Sequence, residues 1–302
     1  MRILLLGAGG QVGWELKRSL SVLGHLTAVE RRADRNPHGL CGDLTDLDGL
    51  AATVRHVQPD VIVNAAAYTA VDRAESEPEL AMRVNADAPQ RLAECAAQQN
   101  ALLVHYSTDY VFDGSGTQAW REQDPTGPLS VYGATKLAGE QHIIASGCRH
   151  LVLRTSWVYA ARGGNFARTM LRLAQTRDSL SVVADQFGAP TSAELLADVT
   201  AHALSTLRLD HSAGGVYHCA AAGGTSWFEY AQLVLATAKS LGVELRVQPD
   251  QVRPITTNEY PTPARRPMNS RLDTRALCDA FGLELPDWQL GVLRMMSEVI
   301  ER

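Results

Sequence analysis

The run Arg2-Ile3-Leu4-Leu5-Leu6 passes directly into Gly7-Ala8-Gly9-Gly10-Gln11-Val12-Gly13 and then into the amphipathic Trp14-Glu15-Leu16-Lys17-Arg18-Ser19-Leu20. A strand, a glycine turn and a helix within twenty residues confine the chain to a βα start. At such a junction the backbone N–H groups and the helix N-terminus can approach a phosphate. The spacing Gly7, Gly10, Gly13 is the three-residue form of a dinucleotide turn. With 24 glycines in 302 residues it is weak alone. Its position at the first strand–helix junction is what points to a dinucleotide rather than an ordinary glycine-rich turn.

The pattern continues. Short apolar runs at 2–6, 26–29, 61–63, 102–106 and 151–154 alternate with Ala-, Leu-, Glu- and Arg-rich stretches such as 11–23 and 78–99. Strand–helix alternation with strands apolar throughout predicts α/β architecture, a doubly wound parallel (Rossmann) sheet buried on both faces. After about Thr155 the pieces become Gly/Pro-punctuated, as in Asp185–Pro190 and Arg253–Arg271. The expected organisation is a dinucleotide-binding domain over 1–160 and a smaller C-terminal α/β substrate domain over 161–302. Segments near 181–219, Gly215–Cys219 among them, could return to the first sheet.

Composition excludes several classes. Charged residues are 20% and apolar residues 45%, with net charge −5, so neither a disordered chain nor a basic nucleic-acid or membrane binder is indicated. No apolar run approaches the ~20 residues of a membrane span. The N-terminal apolar run is too short for a signal peptide, so a cytoplasmic protein is expected. Five cysteines form no CxxC pair and read as reduced and structural.

Tyr132-Gly133-Ala134-Thr135-Lys136 sets a phenol and an ammonium four residues apart, on one helix face. A cation beside a phenol lowers its pKa and makes it a usable acid or base. Eight tyrosines and three lysines in 302 residues give about 0.08 such pairs by chance. The three lysines, Lys17, Lys136 and Lys239, stand among 28 basic residues, so arginine is the default cation and Lys136 is informative. Arginine at 136 is expected to disturb cofactor binding but not folding. Upstream, Tyr106-Ser107-Thr108-Asp109 leaves a buried strand at the edge where doubly wound sheets bind ligands, and Thr108 can donate to a carbonyl oxygen or merely cap a turn. Glu30 stands where an acidic residue accepts from an NAD ribose, whereas Arg31 and Arg32 could hold a 2′-phosphate, so NADH and NADPH both remain open. Asp43-Leu44 follows a glycine at what reads as a strand end.

These motifs, with Asn64-Ala65-Ala66-Ala67-Tyr68-Thr69-Ala70-Val71-Asp72 and Arg154-Thr155-Ser156-Trp157-Val158-Tyr159, resemble the extended short-chain dehydrogenase/reductases, and within them the dTDP-4-dehydrorhamnose reductases. The resemblance continues through Asp185–Pro190, 193–198 and 260–263. It implies NAD(P)H-dependent reduction of the C4 keto group of a dTDP-sugar, dTDP-6-deoxy-L-lyxo-4-hexulose, to dTDP-L-rhamnose for surface polysaccharide. Gly10, Gln11 and Val12 would then cradle the diphosphate, with Gly7 and Gly13 shaping the turn. Glu30, Asp43 and Leu44 would border the adenosine, with Arg31 beside them as a cofactor contact from the reading above. Ala67, Tyr68, Thr69 and Tyr106 would line the nicotinamide side. Tyr132 would protonate the substrate oxygen, Lys136 would hold the ribose and tune Tyr132, and Thr108 would complete the triad, with Asp109 and Trp157 facing the sugar. The resemblance also raises Mg²⁺ at Glu15, Glu194 and Glu298, and a homodimer; three ordinary surface glutamates are the alternative.

Two other functions share these features. A nucleotide-sugar epimerase or dehydratase has the same fold and Tyr/Lys pair, but dehydratases resemble one another in an Asp-Glu after the threonine, and here Asp109 is followed by Tyr110. The regulatory subunit of methionine adenosyltransferase resembles the reductases and acts as a binding partner.

Overall fold

A computed structural model of the protein describes residues 1–208 and 214–300. Its centre is a six-stranded parallel sheet of β1 (Arg2–Leu6), β2 (His25–Val29), β3 (Val61–Asn64), β4 (Leu102–Thr108), β5 (Arg149–Thr155) and an edge strand Gly215–His218. The order across the sheet is Gly215–His218, β5, β4, β3, β1, β2, with every pair parallel. All side chains of β3 and β4 are buried, because helices cover both faces. The chain leaves β1 outward to β2 and then crosses back to β3, which opens a crevice at the carboxyl ends of β1 and β3.

On one face Ile3, Leu5, Val63 and Val104 pack under helices Gln11–Ser21 and Ala193–Leu207. Leu277, Phe281 and Leu285 from near the C-terminus join the same core. On the other face Leu4, Leu6, Ile62 and Leu103 meet Leu50, Val54, Leu92 and Ile143. A separate cluster unites Tyr159, Met170, Tyr230, Val234, Trp288 and Val292. The strand Gly215–His218 and helices Ala193–Leu207 and Arg275–Phe281 therefore return to the first sheet; within the expected returning segment 181–219, residues 209–213 lie outside the described residues.

Two expectations need correction. The helix read across 78–99 is three pieces, Pro78–Met82, a π-helical turn Arg83–Asp87, and Ala88–Gln99. Pro89 lacks an N–H, and Asn85 within the π turn directs its side chain inward. No strand ends at Asp43: the stretch before helix Leu47–Val57 is irregular, with Asp46 capping the helix through Gly49 N.

The crevice depends on one close approach. Gly7 adopts φ +80, and a Cβ there would lie 2.7 Å from Ala66 N. Gly13, inside the first helix, has the Gly7 carbonyl where its own Cβ would project, at 2.0 Å. Alanine in a helix is favoured over glycine by about 1 kcal/mol, but overpacking against fixed backbone costs about 1–3 kcal/mol. Gly13→Ala is therefore expected to lower stability by roughly 1 kcal/mol in urea unfolding, and an unchanged or raised midpoint would contradict this packing.

Candidate active site

A cleft of about 1250 Å³ opens along the carboxyl edge of the sheet. At one end the N-cap of helix Gln11–Ser21 is Gly10, which supplies no side-chain cap, and the first turn carries no acidic residue. Its amides are thus left for an outside acceptor, and the dipole favours an anion. Gly7, Gly10, Gln11 and Val12 line the cleft. Gln11 Oε1 also accepts from Asn165 Nδ2 at 3.1 Å, bridging the turn to the cap of helix Phe166–Thr176. Gly13 does not line the cleft; its part is the packing described above.

Glu30, Arg31, Asp43 and Leu44 form the neighbouring wall. Asn36 secures Glu30 by accepting from its N–H and donating to its carbonyl. Asp43 Oδ1 accepts from Thr45 N and Oγ1, each at 2.9 Å, and Arg31 lies 3.4 Å from Asp43 Oδ2. Arg32 turns away onto Asp34 and is not part of the wall. One arginine rather than two therefore borders this end.

Ala67, Tyr68 and Thr69 line the middle. Their course depends on Asn85, whose Oδ1 accepts from Tyr68 N at 2.8 Å while Nδ2 donates to Tyr68 O and Thr135 Oγ1. Tyr106 reaches the wall, but its phenol is turned into the core and bonded to Thr200 Oγ1 at 2.6 Å. Tyr106 thus lines the cleft while its hydroxyl is engaged in the core.

Tyr132 lies in the first turn of helix Val131–Ala145, which Ser130 caps by accepting from Gly133 N. It meets Tyr110 edge to face at 5.6 Å and keeps part of its surface open to the cleft. Burial, reinforced by the Asp109 charge, pushes its phenol up to about 12, against the hydrogen bond with Thr108. Thr108 Oγ1 donates to Asp109 Oδ1 at 3.0 Å and accepts from Tyr110 N. Burial lifts the Asp109 carboxyl to about 6, against hydrogen bonds from Ser270 and Thr108.

Lys136 differs from expectation. Only 2% exposed, it donates to Tyr106 O at 2.6 Å and meets His105 Nε2 at 3.0 Å. Tyr132 is raised rather than lowered, and Lys136 is not among the groups that act on it. Lys136 lines the cleft as expected but is not indifferent to folding: a bulkier guanidinium would have to displace the floor of the sheet.

Trp157 adopts φ +48 and stacks on Trp227 at 3.6 Å, so the two indoles wall the cleft's far side with Phe166. Trp227 was not foreseen, although Ser226-Trp227-Phe228-Glu229 is a capping-box pattern that fixes it at a helix start. Arg266 on the cleft wall, paired with Asp72 at 2.8 Å, left no local signal.

The carboxylates of Glu15, Glu194 and Glu298 are close enough for both others to raise Glu194. Arg18 lies 3.7 Å from Glu15, and Arg294 lies 3.3 Å from Glu194 and 3.7 Å from Glu298. Two guanidiniums thus supply the countercharge expected of Mg²⁺, and among the described residues no group of three ligating side chains could hold a metal ion.

The donor set fits a dinucleotide: an uncapped helix N-terminus at one end, and Ser107 Oγ and Thr155 Oγ1 buried on the cleft wall without partners. Comparison with known proteins agrees. The family described as the RmlD substrate binding domain matches residues 1–301. The dTDP-4-dehydrorhamnose reductase of Escherichia coli K12 is 52% identical over 299 residues, 99% of this chain and 98% of its own. That of Burkholderia thailandensis is 49% identical over 97% of each. The crystal structure of the Bacillus anthracis dTDP-4-dehydrorhamnose reductase in complex with NADP superposes with TM-score 0.85 at 32% identity, covering 98% of this chain and 99% of that one. The chain belongs to the RmlD family, that of the dTDP-4-dehydrorhamnose reductases.

Proposed function

We propose that this chain is an NAD(P)H-dependent oxidoreductase that reduces the C4 keto group of dTDP-6-deoxy-L-lyxo-4-hexulose to dTDP-L-rhamnose, a precursor of surface polysaccharide. The observation that carries the reading is Tyr132 and Thr108 on the same cleft as the uncapped Gly10 turn. Residues 1–160 with the returning segments would hold the cofactor and much of 161–302 the sugar nucleotide. No helix among the described residues is long and apolar enough to cross a membrane. A cytoplasmic enzyme that pairs as a homodimer completes the reading.

When bound, a reduced nicotinamide supplies the hydride. The free amides of Gln11 and Val12 hold the diphosphate, with Gly10, whose N–H is bonded to the Gly7 carbonyl, letting it approach the turn, and Glu30, Arg31, Asp43 and Leu44 border the adenosine. Ala67, Tyr68 and Thr69, held by Asn85, form the wall toward the reacting end. Tyr132 donates its phenolic proton to the C4 oxygen. Burial keeps that phenol protonated through the working pH range, which suits an acid that must be charged with its proton before turnover. Thr108 orients Tyr132 and the substrate oxygen. The Trp157 and Trp227 indoles offer an apolar wall for a deoxysugar, and Asp109 stands on the cleft wall beside it.

In Tyr132→Phe the ring packing is retained and the proton donor is lost. With the 4-keto sugar nucleotide and NADH or NADPH, kcat should fall about 10²- to 10⁴-fold while cofactor affinity changes little. A turnover within a few-fold of the parent would remove Tyr132 from its role.

Asp109 adds a pH-dependent outcome. Its folded pKa of about 6 exceeds its ordinary 3.8, so its stabilising contribution is complete below the lower value and is lost as pH rises through the upper. Urea unfolding should show the stability difference between Asp109→Asn and the parent shifting in favour of the variant by up to about 3 kcal/mol from acid to neutral pH. A gap independent of pH would mean the carboxyl is not strained.

A further inference from the structure

Among the buried titratable side chains that the reaction scheme leaves without a part is His105. His105 is 1% exposed, on β4 between Val104 and Tyr106, and both ring nitrogens are engaged. The polarity of its contacts can be followed from one end. Ala66 N donates to Asn64 Oδ1 at 3.2 Å, which turns the Asn64 amide nitrogen toward His105 Nδ1, also at 3.2 Å. An amide NH₂ only donates, so Nδ1 accepts and the single proton of a neutral imidazole stands on Nε2. That N–H faces Lys136 Nζ at 3.0 Å. An ammonium has no lone pair with which to accept it, whereas a neutral amine has one and still donates to Tyr106 O.

We propose that His105 is a positioning residue for Lys136, presenting Nε2–H to Nζ and so biasing the lysine toward the neutral amine in the ligand-free protein, with further acceptors in the cleft favouring the charged form.

The surroundings agree. Burial pushes Lys136 down to about 8 and drives His105 well below its ordinary value, so both groups are moved toward neutrality. Glu140, one turn along the same helix, draws Lys136 back up. Its carboxylate is already engaged by Arg154 Nε and Nη2 at 3.1 and 2.7 Å. The π turn Arg83–Asp87, packed on that helix, turns in the uncharged Asn85, bonded to Thr135. The arrangement also gives a reason for lysine in a chain whose cations are nearly all arginine. A guanidinium cannot shed its proton, and no arginine could accept from His105.

This inference rests on ligand-free geometry, so it stands or falls apart from the reductase reading. The test uses the full chain without ligand, labelled with ¹³C at lysine Cε and titrated from acid to strongly basic pH by NMR. Three lysines give three side-chain signals, assigned with Lys17→Arg and Lys239→Arg. The Lys136 signal should titrate at or below about 8, well under the ~10.4 of a free lysine. In His105→Leu, which removes the N–H, its midpoint should rise by about one unit, a tenfold gain in proton affinity. A parent midpoint near that of free lysine, or no rise in the variant, would overturn the proposal. Should His105→Leu not fold, ¹⁵N-histidine spectra of the parent decide: a protonated Nε2 and bare Nδ1 support it, and the opposite tautomer refutes it.

Discussion

The contact between the Gly7 carbonyl and Gly13 fixes the distance between the first strand and the first helix, and the cleft is built outward from it. Without a Cβ on either residue the helix settles against the strand end, and its N-terminus points into the crevice between β1 and β3. The same lack of a side chain lets β3 emerge directly beside Gly7, so that Ala65 and Ala66 run along the floor. Each later element is positioned from that floor. Asn64 ties Ala66 to His105, and Asn85 ties Tyr68 to the helix that carries Tyr132.

That helix is held by charge as much as by apolar packing. Glu140 and Arg154 are both nearly sealed from solvent and share a forked contact, with Phe112 beneath the guanidinium. Taking two charges out of water is costly, and the pair is weak evidence for stability. Its consequence is geometric: a shift of the helix by one residue would strand both charges, a penalty of about 3–5 kcal/mol. The register of Val131–Ala145 is therefore set from its middle. Lys136 and Tyr132 lie one and two turns before Glu140 on the same side, so the buried pair also fixes where the phenol meets the cleft.

What could be read from the sequence was what depends on neighbours along the chain. The apolar runs located β1 to β5 because strands buried on both faces need little beyond such a run. The glycine turn and the Tyr132–Lys136 spacing are likewise local. Residues whose meaning comes from distant partners were not legible. His105 sits in a run that otherwise reads as apolar strand, and its partners Asn64 and Lys136 lie 41 and 31 residues away. The spacing of Lys136 from Tyr132 is visible in the sequence and puts it on the cleft, but the Tyr106 carbonyl that accepts from it is not. The returning helix Arg275–Phe281 and the Arg266–Asp72 pair, 194 residues apart, had no local trace either.

Some of the unsatisfied polar atoms lie along the cleft. Ser107 Oγ and Thr155 Oγ1 are buried at the ends of β4 and β5 without partners. Each would be expected to lower stability by about 1–3 kcal/mol. Thr155 pairs with Thr108 across the strands, so the unpaired groups form one continuous polar floor. Apolar residues there would pack without that cost, but they would offer nothing to a sugar hydroxyl or a ribose. The stacked Trp157 and Trp227 opposite are apolar, so the cleft presents hydrogen-bonding groups on one wall and flat rings on the other. A ligand with polar edges and an apolar face satisfies both walls at once, and a deoxysugar nucleotide has that chemistry.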